Sequence, residues 1–197
     1  MSRPLQNRVL ATGDIVAHPA RGRFMGNRGI LHDNEQRLGR ARWRHKAWVT
    51  CRLAWNDWHR KVMTPGAYTE LFFLDEAVAL AAGHRPCGLC RHEDYTAYRA
   101  ALGVTGPISA LDRILHAERA IPRTFAQRRH SAEIDTLPDG TIILDDVPKL
   151  LLGDTMYPVQ VDGYGSAQRR RNGLATVLTP PLTRKALKNG YKPLIAI

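Results

Sequence analysis

The most informative segment of the chain reads Leu74-Asp75-Glu76-Ala77-Val78-Ala79-Leu80-Ala81-Ala82-Gly83-His84-Arg85-Pro86-Cys87-Gly88-Leu89-Cys90. Two carboxylates, Asp75 and Glu76, stand where the first turn of a helix favours negative charge, and Gly83 suits the position just past a helix C-terminus. We therefore predict a helix over residues 74–82. It leads into a turn that carries a Cys-x-x-Cys pair.

The Cys-x-x-Cys pair predicts a zinc site. Such a turn points both sulfurs, here of Cys87 and Cys90, toward one metal ion. Cys51 and His59 precede the pair, and we predict that these four side chains hold one zinc ion in a Cys₃His set. His45 competes for the fourth position, because the expected strand around it would place it on the face of Cys51. A dithiol redox pair and unliganded buried cysteines are the alternatives.

The residues from Asp75 to Arg91 resemble the zinc-binding domain of the Ada-type DNA alkylation-repair proteins, where a helix ends in Gly, an aromatic residue, Arg and Pro before Cys-x-x-Cys. The likeness covers roughly residues 48–92. In that family four cysteines hold the zinc, and one of them accepts a methyl group from a DNA phosphotriester. By position, Cys51 falls near the acceptor cysteine and His59 near the second ligand. The resemblance implies a DNA-associated zinc module and, as an alternative, a single-turnover alkyl acceptor.

The charge of the chain points to an anionic partner. Lys and Arg total 29 against 18 Asp and Glu, a net charge of +11. Residues 1–60 carry 12 basic and 4 acidic groups, residues 61–150 carry 10 and 12, and residues 151–197 carry 7 and 2. Basic ends around a nearly neutral middle predict a nucleic-acid interface. The resemblance to the Ada-type domain implies DNA rather than RNA as the partner. The candidate contacts are Arg40, Arg42, Arg44, Lys46, Arg85, Arg91, Arg169, Arg170 and Arg171.

The motifs leave the reaction open. No Ser/His/Asp order, phosphate-binding Gly-Lys-Ser/Thr loop or dinucleotide fingerprint is present. A zinc nucleobase deaminase would need an upstream His-x-Glu or Cys-x-Glu, which the chain lacks. The residues favour a zinc-containing nucleic-acid-binding protein, and the resemblance to the Ada-type domain implies a role in DNA repair or processing. A DNA-processing hydrolase, such as a nuclease, glycosylase or AP lyase, is the alternative, and its catalytic residues are not assignable.

We predict an α+β fold in which a zinc-organised central helical module is flanked by small antiparallel β elements. The expected units are a basic N-terminal β and loop segment (1–47), an Ada-like zinc module (48–103), and a helix followed by a β-rich lobe (104–197). Further helices are expected at His92–Leu102 and from an N-cap at Ser109 to Arg119, and a basic strand at 40–51. Strands are also expected at 14–17, 141–144, 149–152, 157–161 and 174–178. No membrane span or secretory signal is visible, so we expect a cytoplasmic protein.

Overall fold

The computed structural model describes residues 3–57 and 61–197. Across these residues the chain forms strands β1 (Gln6–Val9), β2 (Ile15–Ala17), β3 (Phe24–Asn27), β4 (Val49–Cys51), β5 (Leu71–Phe73), β6 (Arg85–Pro86), β7 (Ala120–Ile121), β8 (Ala126–Gln127), β9 (His130–Glu133), β10 (Ile142–Leu144), β11 (Pro148–Leu152), β12 (Thr155–Pro158), β13 (Gln168–Arg169) and β14 (Leu174–Val177). The helices are α1 (Glu76–Ala81), α2 (His92–Leu102), α3 (Ile108–Arg119) and α4 (Pro181–Lys188), with a 3₁₀ turn at Ile134–Thr136.

Two six-stranded sheets dominate the described chain. The first has the strand order β2-β1-β5-β3-β4-β6, and the second has the order β13-β12-β11-β10-β14-β9. In the first sheet β1 runs parallel to β5, and β4 runs parallel to β6, whereas the other pairs are antiparallel. Strands β7 and β8 form a separate hairpin. The first sheet joins strands from both sides of the boundary expected near residue 47.

The expected architecture, a helical zinc module flanked by small β elements, was wrong. More of the described residues lie in strands than in helices, and the four described helices are only 6 to 12 residues long. The first sheet pairs segments far apart in the chain, so that Arg8 lies opposite Phe72. Local sequence patterns carry no information about such pairing. Within the described ranges, no helix has the length and apolar character needed to cross a membrane.

Most local expectations were confirmed at the level of single elements. Helix α2 has the predicted bounds, and the left-handed Gly103 with φ 67° caps its C-terminus. Strands β10 and β11 form the predicted hairpin, with Ile142 opposite Leu150. Two expectations were wrong. Pro107 rather than Ser109 is the N-cap of α3, and of the basic strand expected at residues 40–51 only β4 forms.

Helix α1 is the centre of the core, because all six of its residues are buried. Ala79 packs in a cluster with residues of the first sheet, whereas Ala77 packs with Ile142 and Leu150 of the second. Leu80 joins the cluster formed with α2, α3 and α4. The short alanine-rich helix thus lets both sheets approach closely, and it fixes where the following Cys-x-x-Cys turn begins.

Gly83 ends α1 in a position that a side chain would disturb. Its φ is +88°, and a Cβ there would overlap the side chain of Arg119. We expect Gly83→Ala to lower the free energy of unfolding by about 1–3 kcal/mol, measured by urea denaturation. Gly103→Ala is the control, since its φ is +67° and no atom lies within 4 Å of the added Cβ. Equal losses in both variants would contradict a clash with Arg119.

Candidate metal centre

Three cysteines converge at one end of the first sheet. Cys51 is the last residue of β4, and Cys87 directly follows β6. Because β4 and β6 are parallel neighbours, the Cys87 N–H donates to the carbonyl of Thr50 at 2.9 Å. The sulfurs of Cys51, Cys87 and Cys90 all lie within 4.8 Å of one another. The predicted association of Cys51 with the Cys-x-x-Cys pair is therefore confirmed.

The three sulfurs have the spacing and chemistry of metal ligands. Zn–S bonds of about 2.3 Å in a tetrahedral site separate sulfurs by roughly 3.8 Å, and the three sulfurs here are no more than 4.8 Å apart. Hydrogen bonds from the thiols of Cys51 and Cys90 lower the pKa of Cys87, and the Leu89 N–H adds a hydrogen bond of 3.4 Å. The hydrogen bonds of Cys51 with Cys87 and Cys90, together with burial, raise the pKa of Cys51. The group can hold a metal ion.

Two histidines, His59 and His45, were the predicted candidates for the fourth ligand. His59 lies outside the described residues. His45 precedes β4, and its Nε2 lies 3.1 Å from Oδ1 of Asn27. Asn27 pairs with Val49, two residues before the strand end at Cys51. Because residues 40–47 form no strand, His45 does not share a strand face with Cys51, and it is not part of the three-cysteine group.

A cavity of about 300 Å³ borders the cysteines. Cys51, Cys87 and Cys90 form part of its wall, and Leu53, Trp55 and Phe72 contribute apolar surface. The carboxylate of Glu70, also in the wall, accepts a hydrogen bond of 2.7 Å from the Met63 N–H. Sequence patterns did not point to this cavity, because its wall comes from several separate segments. A small apolar group that enters it would lie beside the three cysteines.

Two of the arginines expected at a nucleic-acid interface are buried in ion pairs. Arg85 is 5% exposed and binds Asp112 through two hydrogen bonds of 2.7 and 2.8 Å. Arg91 is 1% exposed and contacts Glu76 at 2.8 Å and Asp94 at 2.9 Å. These guanidiniums hold α2 and α3 against the cysteine turn. They are not presented to a phosphate at the surface.

The predicted cations of the N-terminal half are largely accessible. Arg42 is half-buried and donates to the Gly39 carbonyl at 2.7 Å. The remaining three are exposed: Arg40, Arg44 and Lys46. This irregular segment leads into Trp48, whose ring is buried. The segment therefore combines accessible charge with nearby aromatic side chains.

The basic turn near the C-terminus is partly structural. Arg169 is exposed on the edge strand β13. Arg170 donates to the carbonyls of Ile134 and Leu137 at 2.5 and 2.7 Å. Arg171 contacts Asp145 at 3.0 Å. Only Arg169 of the three lacks a described ion-pair or side-chain hydrogen-bond partner, within residues 3–57 and 61–197.

His84 connects the cysteine turn to the interior and is fully buried. Its Nδ1–H donates to the carbonyl of Val49 at 3.0 Å, and its Nε2 accepts from Nε of Arg28 at 2.9 Å. Because Arg28 is always a donor, this arrangement requires a neutral imidazole. Burial and the Arg28 charge hold the pKa of His84 well below its usual value.

We expect acid to destabilise the fold through His84. The folded ring stays neutral, whereas the unfolded ring takes up a proton below about pH 6.5, so stability falls as the pH drops below that value. Between pH 7 and 5.5 the wild type should lose about 1 kcal/mol more than His84→Gln in urea unfolding. Metal content measured at both pH values controls for acid release of the metal. Parallel losses in the two proteins would contradict the prediction.

Comparison with protein families, with curated proteins and with solved structures finds no match to this chain. The resemblance to the Ada-type zinc domain therefore stays a prediction from the motif.

Proposed function

We propose that this chain is a zinc-containing protein that binds nucleic acid, DNA in preference to RNA. The observation that supports it best is the convergence of Cys51 with Cys87 and Cys90 across 36 residues of sequence. Thiolate-rich sites favour zinc among the abundant divalent ions, and a turn of this kind is typical of zinc modules. The motif resemblance to a DNA-repair zinc domain supports the same assignment. His59 is the proposed fourth ligand.

The charge distribution supports a nucleic-acid partner. The net charge is +11, and the cations of residues 40–46 are mostly exposed. Lysine and arginine side chains at a surface bind phosphates and release counterions, which makes such binding strongly dependent on salt. The exposed set proposed to contact phosphates is Arg40, Arg44, Lys46 and Arg169. Arg85 and Arg91 are not part of it, because their guanidiniums are committed to buried ion pairs.

A salt titration tests the nucleic-acid part. We expect the triple variant R40A/R44A/K46A to bind a fluorescent DNA duplex more weakly, with the slope of log K against log salt shallower by about 0.9 for each phosphate that is no longer neutralised. The triple variant R113A/K185A/K188A removes the same charge from exposed positions on α3 and α4 and is the control. Equal affinity and slope in the two triple variants would contradict the proposed surface.

The cavity beside the cysteines favours a second candidate function, alkyl transfer to Cys51. Cys51 lines a largely apolar cavity of about 300 Å³, which is large enough to admit a methyl group. The Cys51 thiolate would attack the methyl carbon of a DNA phosphotriester. A zinc ion held by the three cysteines would supply the positive charge that keeps this sulfur deprotonated. The new S–C bond forms as the C–O bond breaks, and the phosphodiester leaves with the electron pair. Intact-mass analysis after exposure to methylated DNA should show one methyl on the wild type and none on Cys51→Ser.

A further inference from the structure

A second cavity, of about 420 Å³, lies apart from the cysteines and is rich in arginine and aromatic side chains. Its wall combines the end of α1, the β7–β8 hairpin, residues 12–14 and the segment around Trp43 and Trp48. The volume falls within the roughly 300–1,000 Å³ of small-ligand sites. We call it the arginine–tryptophan pocket. Its central side chains are Arg28, Arg119, Trp43 and Trp48.

Two buried guanidiniums line the pocket. Arg28 and Arg119 are 2% and 1% exposed, and each guanidinium carbon lies 4.1 Å from the ring centroid of Trp48. The two carbons are therefore at most twice that distance apart. No carboxylate among the described residues forms an ion pair with either arginine. Two cations are thus buried against the same indole ring without a paired anion, which is costly.

The groups that hold these arginines are neutral. Arg28 donates to His84, and more weakly to the carbonyls of Gly13 and Ala82 at 3.4 and 3.3 Å. Arg119 donates to two carbonyls, those of Gly83 and Lys46. Its buried Nε has no hydrogen-bond partner among the described residues. The arginines are therefore oriented by the fold, while their charge is left uncompensated.

The remaining charges around the two arginines do not compensate them. Burial, and then the charge of Arg42, lower the pKa of Arg28 to about 9, while Asp14 acts in the opposite direction. Burial, and then the charge of Arg28, lower the pKa of Arg119 to about 9, opposed by Asp112. Asp14 lines the pocket and accepts a 2.7 Å hydrogen bond from the Thr12 hydroxyl. Asp112 is already held by Arg85. An anion in the pocket would supply the missing charge.

Aromatic rings form another part of the pocket wall. Trp43 is half-buried, and its ring lies 5.3 Å from that of Trp48 and 4.9 Å from that of Phe125. Arg129 is exposed at the rim. The amide nitrogen of Gln127 donates to two carbonyls, whereas its buried Oε1 has no partner among the described residues. A planar ring with an amino group could stack on Trp43 and donate to that oxygen.

We propose that the arginine–tryptophan pocket binds one nucleotide unit, with its phosphate on Arg28, Arg119 and Arg129 and its base against Trp43. Guanidinium forks match phosphate oxygens, and aromatic rings stack on unpaired bases. A single strand held by the exposed cations of residues 40–46 would supply this unit, so that source rests on the proposed function. A free nucleoside monophosphate carries the same chemistry. The experiment separates the two sources.

Tryptophan fluorescence of the zinc-loaded full chain tests the pocket. The probes are adenosine 5′-monophosphate, adenosine, inorganic phosphate and a ten-nucleotide single strand. We expect the monophosphate or the strand to quench Trp43, and adenosine and phosphate alone to bind at least about tenfold more weakly. Arg129→Ala should weaken binding about tenfold. Arg128→Ala is the matched control, since this exposed neighbour does not line the pocket, and it should change affinity less than about twofold.

Arg28→Lys keeps the buried charge but loses the planar fork, so a folded Arg28→Lys protein with weaker binding would support the contact.

Binding of the single strand but not of the monophosphate, if Arg129→Ala weakens it, would support the strand as the source of the nucleotide unit. Binding of the monophosphate without any DNA binding would support the pocket and contradict the proposed function. DNA binding that neither Arg129→Ala nor Arg28→Lys weakens would overturn the pocket and leave the proposed function standing. Equal effects of Arg128→Ala and Arg129→Ala, or equal affinities for adenosine and its monophosphate, would also overturn it.

Discussion

Replacing Cys51 or Cys87 with serine should remove the zinc that we expect at one ion per wild-type chain. Three sulfurs within 4.8 Å of one another form most of a tetrahedral site, and serine oxygen is a poor substitute for thiolate. Because structural zinc supplies folding free energy, both variants should also melt at a lower temperature than the wild type. Metal analysis of the purified proteins, with melting curves before and after chelation, measures both effects.

Histidine variants provide the controls and test the fourth ligand. His92 lies beside the cysteine turn, with its Nδ1 3.1 Å from the Gly88 carbonyl, but it does not belong to the metal-binding group. His92→Ala should therefore keep one zinc per chain. His59→Ala should bind zinc more weakly if His59 supplies the fourth ligand, whereas His45→Ala should bind it normally. A wild-type protein without zinc, or full occupancy in Cys51→Ser, would contradict the zinc site.

The local part of the metal centre could be predicted from the sequence, and the long-range part only in outline. The Cys-x-x-Cys turn and helix α2 depend on neighbouring residues, so spacing and caps indicate them. Cys51 reaches the turn through the pairing of β4 with β6, for which no adjacent residues give a signal. The expected strand over residues 40–51 failed because only Val49–Cys51 finds a partner strand. His45 was misplaced for the same reason.

The role of an arginine was even less predictable, because it depends on partners that folding brings together. Arg85 forms an ion pair with Asp112, which lies 27 residues further along the chain. The sequence alone shows only a cation close to a cysteine. Arg28 and Arg119 lie on opposite sides of the zinc motif in the sequence, yet both contact Trp48. A count of charges gives the sign of a partner. It does not distinguish the cations that contact a binding partner from those that stabilise the folded chain.

Removing the carboxylate of Glu76 should be among the most destabilising single substitutions in the chain. Glu76 is fully buried at the start of α1 and contacts Arg91 at 2.8 Å. It also accepts hydrogen bonds of 2.6 Å from the Tyr191 hydroxyl and 2.9 Å from the Leu194 N–H. The Glu76 side chain thus holds both the C-terminal segment and Arg91, which directly follows Cys90, against helix α1. Glu76→Ala would leave a buried arginine without its main partner.

The expected loss for Glu76→Ala is about 3–5 kcal/mol of unfolding free energy, the usual result of breaking one side of a buried ion pair. Asp94→Ala is the matched control, because Asp94 binds the same Arg91 at 2.9 Å but is 32% exposed. It should cost less than about 1 kcal/mol, since water can take the place of the Asp94 carboxylate. Urea unfolding of both zinc-loaded variants measures the difference. Similar losses would mean that Arg91 depends on neither carboxylate in particular, contrary to a network centred on the buried Glu76.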